Sequence, residues 1–111
     1  MITYQTNEYG LREKDMDFLL CIYTSFPAVK KVILYGSRAT GTYERGSDVD
    51  LVIVGNDVSY EDISKMKVRI ENENPSLLSY SLILMDSIKN EKLKSQIDKY
   101  GKVIYQKDLA R

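Results

Sequence analysis

Two apolar runs separated by a polar, glycine-containing segment dominate the pattern of hydrophobic and polar positions along the chain. The first run ends at Tyr35 and the second at Val54, and both are rich in β-branched residues. Runs of this length that are bounded by glycine are typical of buried strands. The pattern therefore predicts strand one at about 31 to 35 and strand two at about 48 to 54, joined by a tight glycine turn and a short exposed loop.

Helical periodicity flanks these two strands on both sides. An apolar stripe precedes them, ends ahead of Pro27, and consists of Leu11, Met16, Leu19, Leu20, Tyr23 and Phe26. After them, Ser59 and Asp62 form a capping-box pattern at the start of a helix that Asn74-Pro75 stops. The inward positions of this second helix are Ile63, Met66 and Ile70. The pattern predicts two core helices at these places.

The last third of the chain predicts a strand, a helix and a final short strand. The apolar run 77 to 85 is strand three, and because a helix connects it to strand two, the two strands should be parallel. Either Asp86 or Asn90 caps the last helix, and Gly101 closes it. Residues 102 to 106 then fit a short final strand.

The order of these elements predicts the fold class. Helices alternate with strands, which favours a single α/β domain over residues 1–111, with a mixed sheet of about four strands and helices mainly on one face. Residues 1 to 9 have no clear period and predict an arm or a short turn.

Composition narrows the class of protein. Sixteen basic residues balance sixteen acidic ones, so no broad cationic surface is available to bind a nucleic-acid polymer or an anionic membrane nonspecifically. No apolar run approaches the roughly 18 residues of a membrane helix, and the N-terminus lacks a signal-peptide pattern, which predicts a cytoplasmic protein. The one cysteine, Cys21, lies in an apolar segment and is expected to be a small buried core residue.

The absence of histidine directs attention to carboxylates. Without histidine, Ser-His-Asp catalysis, Cys-His catalysis and histidine metal sites are excluded. Asp48 and Asp50 stand at the entrance of strand two, and because side chains alternate along a strand, both point to one face. Two carboxylates on one face repel each other unless a cation lies between them. Oxygen ligands of this kind suit Mg²⁺ or Mn²⁺, which predicts a metal site at Asp48 and Asp50.

The turn after strand one supplies the second part of a candidate site. Gly36 lets backbone approach a ligand closely, and Ser37 can cap a short helix that begins with Arg38. Free N–H groups at such a helix start attract phosphate. If strands one and two are antiparallel neighbours, this phosphate cradle lies beside the carboxylates of Asp48 and Asp50.

The spacing of these residues, Gly36-Ser37 followed by ten residues and then Asp48-Val49-Asp50, resembles the signature of the DNA polymerase β nucleotidyltransferase superfamily. The close resemblance covers residues 31 to 54, and at this size the chain is most similar to the minimal nucleotidyltransferases (MNT). The resemblance implies transfer of a nucleoside monophosphate, AMP, from a nucleoside triphosphate, ATP, to a hydroxyl. Asp48 and Asp50 would hold two Mg²⁺ ions, Gly36 and Ser37 would carry the phosphate tail, and Arg38 would clamp it.

The same resemblance implies a partner. Minimal nucleotidyltransferases commonly belong to two-gene toxin and antitoxin modules, so the partner would be a HEPN-domain ribonuclease toxin with a tyrosine hydroxyl as acceptor. The alternative is an interaction module that binds this partner and a nucleotide without transferring it. An antibiotic-modifying nucleotidyltransferase is disfavoured, because such enzymes resemble this chain only over a core and normally carry a further helical domain.

The chain departs from the family at the third carboxylate, which a later strand carries and which helps to deprotonate the acceptor. Counting back from Asp86-Ser87-Ile88, that position is Ser81, and strand three contains no acid. Asp86 lies five residues further on, so it points to the opposite face and sits roughly 16 Å away at ~3.3 Å per residue. We therefore expect nucleotide binding to persist while transfer is slow or absent.

Overall fold

The helices and strands follow the order that the hydrophobic pattern predicts. The computed structural model describes residues 6–107. The elements within that range are α1 (Glu13–Thr24), β1 (Lys31–Tyr35), α2 (Ser37–Thr40), β2 (Val49–Val54), α3 (Tyr60–Glu73), β3 (Tyr80–Leu84), a 3-10 turn (Met85–Ser87), α4 (Glu91–Tyr100) and β4 (Lys102–Gln106).

The four strands form one mixed sheet in the order β3-β2-β1-β4. β1 is antiparallel to both β2 and β4, whereas β2 and β3 are parallel and are connected through α3. The predicted four-stranded mixed sheet and the parallel crossover between the second and third strands are therefore confirmed. The end of β1 and the starts of β2 and β3 lie at one end of the sheet.

Each face of the sheet packs against different helices, because side chains alternate along each strand. One face carries Leu34 and Leu51 and packs with buried side chains of α1 and α3, including Ile22 and Met66, in the main core. The other face carries a smaller cluster made of Ile33, Val52, Ile88 and Ile97, of which the last belongs to α4. The expectation of helices mainly on one face is confirmed, with α4 as the helix on the second face.

Fewer residues of the α1 apolar stripe are buried in the core than the sequence predicts. Leu19, Ile22 and Tyr23 are buried, whereas Leu20 is 46% exposed and Cys21 is exposed. Successive helical residues are about 100° apart, so positions one and two after the buried Leu19 turn away from the core. The prediction that Cys21 is a buried core residue is therefore wrong.

The predicted helix ends are confirmed by hydrogen bonds. Ser59 Oγ accepts from the Asp62 N–H and Asp62 Oδ2 accepts from the Ser59 N–H, both at 3.1 Å, which completes the capping box of α3. Asn90 caps α4 by accepting from the N–H groups of the second and third helical residues, and Asp86 lies in the 3-10 turn instead. Within residues 6–107, no helix has the length and apolar character needed to cross a membrane.

The N-terminal segment is a short turn where the structure describes it. Asn7 Oδ1 accepts hydrogen bonds from the N–H groups of Tyr9 and Leu11, and Thr6 forms an isolated antiparallel bridge with Arg12. The first five residues of the predicted arm lie outside the described residues.

Candidate active site

Gly36 and Asp50 meet where β1 ends and β2 begins. The strand register pairs Tyr35 with Asp50, so the residue after Tyr35 turns directly over the Asp50 carboxylate. A Cβ atom placed on Gly36 would lie 2.5 Å from Asp50 Oδ2, which is closer than van der Waals contact allows. The antiparallel pairing therefore brings the glycine turn and the carboxylates together, as the sequence predicts.

The backbone at Gly36 has a conformation that only glycine adopts readily. Its φ is 77° and its ψ is −156°. α2 begins at the next residue, and the Gly36 carbonyl accepts hydrogen bonds from the N–H groups of Ala39 and Thr40 at 3.1 and 3.2 Å. The first N–H groups of a helix have no acceptor within the helix. The start of α2, with its first N–H groups, thus lies next to the Asp50 carboxylate.

Asp48 and Asp50 lie on one face of the sheet with different environments. Asp48 immediately precedes β2 and is exposed, whereas Asp50 lies inside the strand and is half-buried. Burial raises the pKa of Asp50, and the negative charge of Asp48 raises it further. A cation between the two side chains would relieve both effects, because it favours the ionised forms.

The two carboxylates fit a hard divalent cation but supply only part of its coordination. Among the described residues, no group of three or more histidine, cysteine, aspartate or glutamate side chains is arranged to hold a metal ion. Mg²⁺ is usually bound by one or two carboxylates together with substrate phosphates and water. Asp48 and Asp50 match that donor set.

Ser81 is the neighbour of Asp50 on the other side. The parallel register pairs Asp50 with Ser81, whose side chain is exposed. Asp86 is far from this place, since the same register pairs Ile53 with Leu84 and Asp86 follows beyond that end of β3. The side chain of β3 closest to the Asp50 carboxylate is thus a hydroxyl.

Tyr35 borders the carboxylates on the face that carries α4. It is half-buried against the cluster formed by Ile33, Val52 and Ile97. Burial raises its pKa, and the charge of Asp50 adds to that effect. The Tyr35 hydroxyl therefore keeps its proton at neutral pH and can act as a hydrogen-bond donor.

Arg38 does not face the carboxylates as a phosphate clamp would. It is 3% exposed, and its guanidinium donates to the carbonyl of Ser47 through Nε and Nη2, at 3.0 and 2.9 Å. Nη1 donates to the carbonyls of Tyr9 and Gly10 at 2.8 and 3.3 Å. The Arg38 side chain thus holds three loop carbonyls together, and its role as a phosphate clamp stays a prediction.

A match to a known protein family shows which family this fold and motif belong to. The chain matches the family described as Polymerase beta, Nucleotidyltransferase over residues 13–110. The protein belongs to this nucleotidyltransferase family. The match extends well beyond the segment 31 to 54 that carries the motif.

Relatives of this nucleotidyltransferase include one curated protein and several solved structures. The chain is 34% identical over 65 residues to "Putative protein adenylyltransferase MJ0604" of Methanocaldococcus jannaschii, a match that covers 59% of this chain and 58% of that protein. The match therefore spans less than two thirds of the relative. In fold, the chain is similar to a toxin-antitoxin crystal structure with AMP-PNP, with a TM-score of 0.68, 18% identity and coverage of 86% and 76% of the two chains.

Two further solved structures have the same fold. A mutant of the toxin-antitoxin MntA-HpeT matches with a TM-score of 0.66 and 16% identity, covering 85% of this chain and 75% of that one. The structure of "a putative nucleotidyltransferase from Sulfolobus solfataricus" matches with a TM-score of 0.54 and 22% identity, covering 84% of this chain and 78% of that one. At these identities the similarity establishes the polymerase β-type fold of this nucleotidyltransferase.

The loop residue Ser47 belongs to the site of this nucleotidyltransferase, although its sequence context gives no sign of it. Ser47 Oγ accepts from the Glu44 N–H at 2.8 Å, and its carbonyl accepts from Arg38. Ser47 immediately precedes Asp48, so these bonds fix the start of the carboxylate pair. A polar residue in an exposed loop carries no pattern that distinguishes such a role from an ordinary turn.

Proposed function

We propose that this nucleotidyltransferase transfers AMP from ATP to a hydroxyl of a partner protein and acts as the antitoxin of a HEPN-domain toxin. The observation that carries the proposal is the approach of Gly36 to Asp50, with a Cβ position 2.5 Å from the carboxylate oxygen. A glycine turn at the start of a helix offers N–H groups to phosphate. The carboxylates beside it offer oxygen ligands to a divalent cation.

In this proposal each part of the site has one task. The backbone N–H groups at Gly36 and Ser37 bind the phosphate tail of the triphosphate and hold it in place. Asp48 and Asp50 hold Mg²⁺ or Mn²⁺, which when bound neutralises the charge of the phosphate oxygens. Arg38 contributes by holding the loop that carries Asp48, and the whole chain, 1–111, works as one minimal nucleotidyltransferase domain.

The names of related proteins support the substrate and the partner. The curated relative is named a protein adenylyltransferase, which favours AMP as the transferred group and a protein as the acceptor. Two of the structures with this fold are toxin-antitoxin pairs, one of them with the ATP analogue AMP-PNP. The HEPN domain of the toxin and its tyrosine hydroxyl as acceptor are the parts of the proposal that rest on the sequence resemblance alone.

A binding module that does not transfer nucleotide is the second candidate function. The position of Ser81 favours it, because the side chain paired with Asp50 on β3 is a hydroxyl that is not a base at neutral pH. The module would bind the nucleotide at Gly36, Ser37, Asp48 and Asp50 and hold the toxin in a complex without modifying it.

Incubation with ATP labelled at the α-phosphate, Mg²⁺ and the co-expressed partner tests the proposal. Label on the partner, absent with the Asp48→Asn/Asp50→Asn variant, is the result expected of the enzyme. A stable complex without label is the result expected of the binding module. If neither label nor a complex is obtained, both functions are wrong.

A second experiment tests the metal assignment separately from transfer. Mg²⁺ and ATP should each bind more tightly in the presence of the other, because each neutralises part of the other's charge. In calorimetry, Asp48→Asn/Asp50→Asn should remove the Mg²⁺ dependence of ATP binding. The matched control is Asp57→Asn/Asp98→Asn, which removes two exposed carboxylates elsewhere. An unchanged Mg²⁺ dependence in the first variant would show that the assignment is wrong.

A further inference from the structure

A cleft of about 750 Å³ lies close to the candidate active site, with Arg38 and Gly46 in its lining. Its walls come from the start of α1, the loop 43–46 and the segment 76–78 that leads into β3. None of Gly36, Ser37, Asp48 and Asp50 lines it. Small-molecule sites commonly measure roughly 300 to 1,000 Å³, so the cleft has the size of a ligand site.

Asp15 contributes a buried acceptor to this cleft that has no hydrogen-bond donor. The residue is 1% exposed, and its Oδ2 atom accepts from the Arg12 backbone N–H at 3.1 Å and from Arg12 Nε at 3.5 Å. Its Oδ1 atom is also buried and has no hydrogen-bond partner in the described part of the chain. Buried carboxylate oxygens are normally hydrogen-bonded, because an unsatisfied one costs free energy. A ligand with an O–H or N–H group would supply the missing donor.

The charge of the cleft favours an anion at its rim. Three arginines line it against two carboxylates, those of Asp15 and Glu44. The donors of Arg38 are engaged by loop carbonyls, whereas Arg45 is exposed and forms no ion pair within residues 6–107. A guanidinium in this situation can bind phosphate in a bidentate manner.

The third wall of the cleft is apolar. Leu77 and Leu78 line it, and the Leu77 side chain is fully exposed. A large aliphatic side chain directed into solvent at the rim of a polar cleft offers a surface for a flat, partly apolar group. The cleft thus combines an anion-binding rim, a carboxylate acceptor and an apolar wall.

We propose that this cleft binds a nucleoside monophosphate, at a site separate from the one for the triphosphate. The phosphate contacts Arg45, a ribose hydroxyl donates to Asp15 Oδ1, and the base lies against Leu77 and Leu78. A carboxylate that accepts from ribose hydroxyls is a recurring element of nucleotide sites. The proposal does not depend on the transfer activity, since it requires neither the metal nor Gly36.

The cleft is also connected to the active site. Arg38 lines it and donates to the carbonyl of Ser47, the residue before Asp48.

Calorimetry with AMP in the presence of EDTA tests the proposal. The parent and Asp48→Asn/Asp50→Asn should bind AMP equally. Arg45→Ala should weaken binding about tenfold or more, because it removes a charged phosphate donor. Leu77→Asp should weaken it as well, and since Leu77 is fully exposed, this variant does not disturb the fold. Lys92→Ala on α4 is the control with the same change of charge, and should bind as the parent does.

Two ligand comparisons distinguish nucleotide recognition from simple anion binding. The parent should prefer AMP over 2′,3′-dideoxy-AMP, and Asp15→Asn should reduce that preference. Inorganic phosphate that binds as tightly as AMP would overturn the assignment of a nucleotide. Equal affinity of Arg45→Ala and Lys92→Ala for AMP would overturn the site, as would binding that disappears only in the Asp48→Asn/Asp50→Asn variant.

Discussion

Arg38 and Ser47 are joined by two hydrogen bonds from one guanidinium to one carbonyl, at 3.0 and 2.9 Å. The bonds connect α2, which follows the glycine turn, to the residue that precedes Asp48. α2 and the loop residue that precedes Asp48 are therefore held at a fixed separation by a side chain that is 3% exposed.

Arg38→Lys should loosen this connection while keeping the charge. Lysine cannot reach the three carbonyls at once, and leaving buried acceptors without donors should reduce the free energy of unfolding by about 2 to 4 kcal/mol. Urea denaturation measures this loss, and faster amide exchange in residues 43–48 should accompany it. The control is Arg69→Lys, an arginine that forms a surface pair with Glu73. Unchanged stability combined with weaker ATP binding would instead identify Arg38 as a phosphate ligand.

Gly36→Ala should place a methyl group against the Asp50 carboxylate. Gly41→Ala is the matched control, because Gly41 also has a positive φ, 84°, but no atom within 4 Å of its Cβ position. In each variant the unfavourable φ lowers the free energy of unfolding by about 1 kcal/mol or more. Only in Gly36→Ala does the new methyl group also collide with the Asp50 carboxylate. We expect Mg²⁺-dependent ATP binding to be lost in Gly36→Ala and kept in Gly41→Ala. Similar ATP affinities for the two variants would contradict the close packing of Gly36 on Asp50.

Asp50 should make the stability of the metal-free protein depend on pH. Its pKa is raised in the folded state, first by burial and then by Asp48. The contribution of Asp50 to the free energy of unfolding is therefore fully present below its unfolded pKa, about 3.9, and is lost as the pH rises through the folded value. In EDTA at pH 7, Asp50→Asn should be more stable than the parent, and the difference should shrink towards acid pH.

With Mg²⁺ present, the parent should become more stable than Asp50→Asn, because the ion stabilises the parent and not the variant. Thermal unfolding at several pH values, with and without Mg²⁺, measures both effects. Asp57→Asn, in the turn after β2, serves as the control and should show neither. A parent that is more stable than Asp50→Asn in EDTA at neutral pH would mean that the Asp50 carboxylate is already stabilised within the protein.

Ser81→Asp should place an acid beside Asp50. A positioned general base typically contributes about 10² to 10⁴ in rate, so transfer of AMP to the partner should accelerate by a factor in that range. Ser64→Asp, on the exposed side of α3, is the control for an added negative charge. Fast transfer by the parent with no gain in Ser81→Asp would show that the reaction does not need a carboxylate at this position.

The core of the fold and the convergence at Gly36 and Asp50 are predictable from the sequence because both depend on short-range patterns. β1 and β4 have the predicted bounds, and β2 and α3 begin within one residue of them. Strand three is shorter than the apolar run, since residues 77–79 belong to the loop that precedes Tyr80. A run of apolar residues indicates burial or strand propensity. It does not show at which residue the hydrogen-bonded pairing with the neighbouring strand begins or ends.

The environments of Arg38 and Cys21 could not be predicted because they depend on contacts between distant parts of the chain. The Arg38 guanidinium binds carbonyls of Tyr9 and Gly10, about 28 residues earlier in sequence. A carbonyl oxygen is present at every residue, so sequence cannot indicate which ones a long side chain will reach. Cys21 lies in an apolar segment, but its exposure is set by the rotation of α1 about its axis.

The antiparallel pairing of β1 with β2 has a consequence for the order in which the protein folds. Both halves of the site come from residues 31–54, so forming them requires the closure of one short loop, which costs little chain entropy. β4 lies near the other end of the described chain, so its pairing with β1 requires the closure of a much longer loop. We expect pulsed hydrogen exchange during refolding to protect the β1–β2 amides before those of β4, so that the glycine turn and carboxylates meet before the sheet is complete.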